Sequence, residues 1–212
     1  MKYVSESQPV TKETDLKQLL EESKKLRRNI KHKHFKNLTV EELVGEKTEF
    51  VFCEFEGCRF INCNFDNTQF TDCNFIDCDV SNVHFDNAAF QRVKMTDSKC
   101  TGIKMTRMFV GNSSFENCRM DFANFSDSGM RNTVFENCDM TSAGMYGCNF
   151  QNIKFDFCNL SESNFGRAKL DGIDISTCNI RGILMHGFEL EGAIVDATQL
   201  MELSKFLGVK IK

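Results

Sequence analysis

The sequence predicts an all-β solenoid, a coil built from five-residue units, and three observations predict it. Every fifth residue from Phe50 to Val195 is apolar, 30 positions without a phase slip, beginning Phe50, Phe55, Phe60, Phe65, Phe70, Phe75 and Val80. Two places before each of these lies a second class of mostly small residues: Thr48, Cys53, Cys58, Cys63, Thr68, Cys73 and Cys78, and later Cys118, Ala123, Ser128 and Thr133. No charged residue occupies either class between 46 and 195. The composition agrees, because 21 Phe with no Trp and a single Pro means that one kind of site is filled repeatedly.

A period of five is neither the 3.6 of a helix nor the 2.0 of an ordinary strand, so a different coil is required. Units such as CNFID (73–77) and CNLSE (158–162) resemble the A(D/N)LXX signature of pentapeptide repeat proteins. That resemblance implies a right-handed quadrilateral parallel β-helix in which the chain turns a corner at every unit and four units close one square coil. It implies about 7.5 coils, a rod about 36 Å long at the roughly 4.8 Å spacing of paired strands. Large central residues and small ones beside them would fill its interior at crystal-like density.

At 212 residues the chain suits one such domain. The N-terminus lacks an apolar export segment and no run of about 18 apolar residues occurs, so a cytoplasmic location without membrane contact is expected. Eleven cysteines is an odd number for a disulfide framework. All eleven fall in the inward classes, six of them (Cys58, Cys78, Cys118, Cys138, Cys158, Cys178) on one face at 20 residues per coil. A straight buried column cannot converge tetrahedrally on zinc, so neither metal nor cofactor is expected and the thiols read as small hydrophobes.

Between 46 and 196 stand 22 acidic and 13 basic residues, all read as outward-facing. With 20 residues per coil, one face gathers Glu54, Glu56, Asp77, Asp97, Glu116, Glu136, Asp156 and Asp174, with Asp196 at its end, against Lys94 and Lys154. Glu116, Glu136 and Asp156 then repeat one position on three successive coils, where like charges destabilise one another. Folding gains nothing from that stacking. A negative stripe on a stiff rod suits either solubility or a partner whose basic groove ordinarily holds nucleic acid, and it repels DNA itself.

The ends divide from the rod at about 45 and 197, giving an N-terminal helical extension (1–45), a β-helix (46–196) and a C-terminal helix and tail (197–212). Leu16, Leu19, Leu20, Ser23 and Leu26 predict a helix over about 13–30. Thr39 with Glu42, flanked by Leu38 and Leu43, reads as a capping box opening a second short turn, although Phe35 and Val40 keep the five-residue phase, which admits a first partial coil that starts before residue 46. The run 24–36 is strongly basic and reads as solvated, as a nucleic-acid contact or as a cover for the rod's own acidic face. At the other end Asp196 and Gln199 form a second capping-box pattern, Leu200, Leu203 and Leu207 recur at helical spacing to about 207, and 209–212 alternate like a strand.

This tail, TQLMELSKFLGVKI (198–211), together with NIRGI at 179–183, resembles the closing segment of the Qnr and MfpA branch of the family. The branch resemblance implies a homodimer joined end to end through Leu200, Leu203, Leu207, Val209 and Ile211. It also implies a DNA mimic that binds DNA gyrase or a related type II topoisomerase through the acidic face and protects it from quinolones. The alternative is a structural scaffold or interaction rod with another protein partner. His32, His34, His84 and His186 are scattered and no phosphate-binding loop motif occurs, so catalysis is not expected.

Overall fold

A chain whose every fifth side chain is large and apolar can bury all of them only by turning once per unit. The computed structural model, which describes residues 12–206 and 208, shows how the turn is made. Two places after nearly every central residue the backbone is left-handed, as at Asn62, Asn67, Asp72 and Asp77, with φ between 52° and 58°. Asn, Asp and Gly tolerate that conformation best, and they occupy most of these corners.

Four parallel ladders result, each stepping 20 residues. One joins Ile30, Phe50, Phe70, Phe90, Val110, Met130 and Phe150. The next joins Phe35, Phe55, Phe75, Met95, Phe115, Phe135 and Phe155. The other two faces are mostly single bridges, running from Arg59 to Asn179 and from Val44 to Leu184. Inside, the central phenylalanines stack coil upon coil: Phe55 on Phe75 at 4.6 Å between centroids, Phe115 on Phe135 at 4.8 Å and Phe135 on Phe155 at 5.3 Å.

The coil begins before residue 46, as the phase of Phe35 and Val40 admits. Ile30 and Lys31 pair with Phe50 and Val51, so the first coil occupies residues from 30 onward, inside the stretch assigned to the N-terminal extension. The helix α1 (Glu13–Leu26) correspondingly stops short of 30, with Arg27 left-handed at its C-cap, and lays Leu16 and Leu20 into the core. The capping box at Thr39 does not form. Thr39–Glu41 is a strand paired with Arg59–Ile61, because Val40 and its inward neighbours Leu38 and Leu43 obey the five-residue phase and are buried. Burying three apolar side chains outweighs one cap.

The C-terminal capping box does form: Asp196 Oδ1 accepts the Gln199 N–H and Gln199 Oε1 accepts the Asp196 N–H, both at 3.0 Å. Gln199 Nε2 also donates to the carbonyls of Ile175 and Cys178 at 2.8 Å, satisfying acceptors at the open end of the coil. Helix α2 (Gln199–Leu203) and a 3-10 turn (Ser204–Phe206) follow. Leu207 and 209–212 lie outside the described residues.

One acid breaks the expectation that every charge faces outward. Glu189 is fully buried, because the last coil departs from the regular corner through Gly187 and a 3-10 turn (Phe188–Leu190) that swings the carboxylate inward. It accepts the N–H groups of Arg167, His186 and Gly187 at 2.7–2.9 Å and the His186 ring at 3.0 Å. Burial alone would raise its pKa, but these donors hold it at about 2.

The cysteines are all free and all buried. They are more than small hydrophobes: Cys78 Sγ donates to the Phe55 carbonyl at 3.3 Å, and Cys138 and Cys158 to those of Phe115 and Phe135 at 3.4 Å, one coil below. Burial pushes the Cys148 thiol up to about 12 and the Cys63 thiol upward as well. The native chain should therefore react with a thiol-specific chromogenic reagent only at its unfolding rate, and the denatured chain should release eleven equivalents. Rapid labelling of the folded chain would contradict the placement.

Candidate functional site

The parallel ladder that stacks Phe115, Phe135 and Phe155 inside fixes what stands beside them outside. Glu116 pairs in register with Glu136 and Glu136 with Asp156, so three carboxylates lie on consecutive rungs. At about 4.8 Å per rung this is a row of negative charge along the rod. Asp97, exposed at its left-handed corner, accepts Asn117 Nδ2 at 3.0 Å, and Asp77 occupies the same corner one coil below. Asp174 is exposed beyond the row, its carboxyl held below the usual range by the Ser176 hydroxyl and N–H.

The row is partly compensated. Lys94 reaches Glu116 at 2.8 Å and Lys154 reaches Asp156 at 2.5 Å. The Glu136 side chain, exposed between them, has no ion pair or hydrogen bond among the described residues. Near the start of the rod compensation is stronger, because the first coil places Lys36 at 2.7 Å and His34 at 2.8 Å from Glu56. Lys36 and then His34 draw the Glu56 carboxyl below its ordinary pKa. Glu54 lies 3.5 Å from the same imidazole. Compensation is therefore uneven along the face, strongest at Glu56 and partial from Glu116 to Asp156. Every exposed pair here sits in high dielectric and contributes little to stability.

Two half-buried clusters place three metal-capable atoms within 4.8 Å of one another, His34 with Glu54 and Glu56, and Asp66 with His84 and Asp86. Lysines attend both: Lys36 holds Glu56, and Lys104 Nζ lies 3.2 Å from His84 Nε2.

Of the residues expected to join two rods, Leu203 is 3% exposed and packs into the core at the C-terminal end of the coil. Leu200 is exposed, next to Met201, which is 72% exposed. Leu207, Val209 and Ile211 lie outside the described residues. Phe157 and Phe122 escaped the sequence reading: both are exposed phenylalanines held in the left-handed conformation, at φ 50° and 59°. A signal for them was available, since they stand where the repeat otherwise favours Asn, Asp or Gly.

Among the described residues no helix is long and apolar enough to cross a membrane. A family model for pentapeptide repeat regions matches residues 109–193, and a second, for nine-copy pentapeptide repeats, matches 47–99. No curated protein sequence matches the chain. Among solved structures, a trypsin-treated variant of QnrB1, a plasmid-mediated fluoroquinolone resistance protein, superposes with a TM-score of 0.54 at 20% identity over 85% of this chain and 90% of its own. A second trypsin-treated variant gives a TM-score of 0.51 at the same identity and coverage. HetL, a pentapeptide repeat protein involved in heterocyst differentiation regulation in the cyanobacterium Nostoc sp., aligns at 12% identity over 89% of this chain and 98% of its own with a TM-score of 0.42.

Proposed function

Because the chain belongs to the pentapeptide repeat family, we propose that it is a non-catalytic interaction rod whose acidic face enters the DNA-binding groove of a type II topoisomerase, chiefly DNA gyrase, and protects it from quinolones. The observation that carries this reading is the in-register row Glu116, Glu136 and Asp156. Stacked like charges cost the fold stability, and a partner's basic groove is where that cost is recovered. The row is sparser than duplex DNA, which places a phosphate charge every roughly 1.7 Å, so it acts as a competitor of moderate strength. The tail resemblance to the Qnr branch supports the choice of partner, as does the fold shared with a fluoroquinolone resistance protein. We place the protein in the cytoplasm and read it as a homodimer through its C-terminal end, with Leu200 at the contact.

A second reading is favoured by the compensation within the face: Lys94 and Lys154 neutralise two members of the row, as suits a soluble scaffold with some other protein partner. Titrating the protein into a gyrase supercoiling reaction, with and without a quinolone, separates the two. Protection at micromolar concentration supports the topoisomerase reading. Neither inhibition nor protection leaves the scaffold.

A further inference from the structure

The basic run 24–36 closes over the first coil to form a recess, and its chemistry differs from that of the acidic face. Between the C-terminal end of α1 and the first ladder lies a groove of about 520 Å³ lined by Lys24, Arg27, Arg28 and Lys47, with Glu49 as the single acid. Lys24 is engaged, donating to the Val44 carbonyl at 2.9 Å. The side chains of Arg27, Arg28 and Lys47 have no ion pair or hydrogen bond among the described residues, whereas Arg92 is held by Asp72 and Lys36 by Glu56.

A second observation comes from the groove's floor. Thr48 is 3% exposed and its hydroxyl is buried without a hydrogen-bond partner. Its counterparts Thr68 and Thr133 give theirs to carbonyls 23 residues earlier, those of Gly45 and Val110. For Thr48 that position is Lys25, which is inside α1, so no coil lies beneath to accept it. Buried polar groups are almost always satisfied, so the first coil is one acceptor short beneath the unpaired cations.

We propose that this groove binds the phosphate groups of a small polyphosphorylated molecule. Guanidinium and ammonium groups converging on one recess are the chemistry of phosphate recognition. The volume falls within the roughly 300–1,000 Å³ of small-ligand sites. An extended nucleic acid fits less well, because beyond the groove it meets an acidic rod.

The test uses the full chain with inorganic tripolyphosphate as probe, followed by isothermal titration calorimetry in phosphate-free buffer. Saturable one-to-one binding is expected, weakened at least about tenfold in the double variant Arg28→Gln, Lys47→Gln. Lys47→Gln alone lies on an exposed corner of the coil, leaves α1 intact and should weaken binding by several-fold. Absence of saturation, equal binding by both variants, or tighter binding of a duplex oligonucleotide through the same residues would overturn the assignment.

Discussion

The variant Glu116→Lys, Glu136→Lys, Asp156→Lys is expected to fold as the parent does and to lose at least about a hundredfold in its effect on gyrase supercoiling, because rim charge reversal turns attraction into repulsion at three adjacent rungs. The fold should tolerate the change. All three side chains face outward while Phe115, Phe135 and Phe155 stay buried between them. Two ion pairs are lost, with Lys94 and Lys154, but exposed pairs contribute about 0–1 kcal/mol each. Lys94 and Lys154 repel the new lysines instead, but these exposed side chains can swing apart in high dielectric, so the added cost is small. Unchanged circular dichroism and melting, with lost activity, would assign the face to partner binding. Retained activity would remove the face from the account.

Glu189→Ala is expected to cost about 3 kcal/mol, since it leaves three backbone N–H groups and the His186 ring without their buried acceptor. The damage should concentrate at the C-terminal end, where the carboxylate joins the corner at Arg167 to the turn at 186–190. A pH signature accompanies it. The folded-state pKa, about 2, is depressed below the unfolded value near 4.3, so the carboxylate stabilises the fold fully above that unfolded value and the contribution disappears as pH falls toward 2. Melting temperatures of parent and Glu189→Gln measured from pH 7 to pH 2 should converge at the acid end. A constant gap across the range would contradict the assigned role.

The rod was legible because its signal is redundant: a phase kept over 30 units survives Val, Met or Cys in place of Phe, and the ladders place each of those residues where the period puts it. The first coil was less legible because Ile30, Phe35 and Val40 keep the phase amid basic residues and helix-like signals. Thr39 and Glu42 make a plausible cap locally, and only the strand supplied by Arg59–Ile61, 20 residues on, decides against it. The acidic row followed from 20-residue arithmetic, and its register agrees. What arithmetic could not reveal was compensation. His34 and Lys36 reach Glu56 through a coil the sequence reading left in the extension, and Lys94 reaches Glu116 diagonally across rungs. Glu189 was illegible for a related reason: its place in the period is outward, and only the irregular turn at Gly187 brings it in.

The central claim is that the acidic face occupies a surface that otherwise holds DNA, and the most direct test is competition. Gyrase immobilised with labelled protein should release it as duplex DNA is added, with the two ligands mutually exclusive and the release lost in the triple lysine variant. A stable ternary complex of gyrase, DNA and this protein, or no binding in the absence of DNA, would contradict the account.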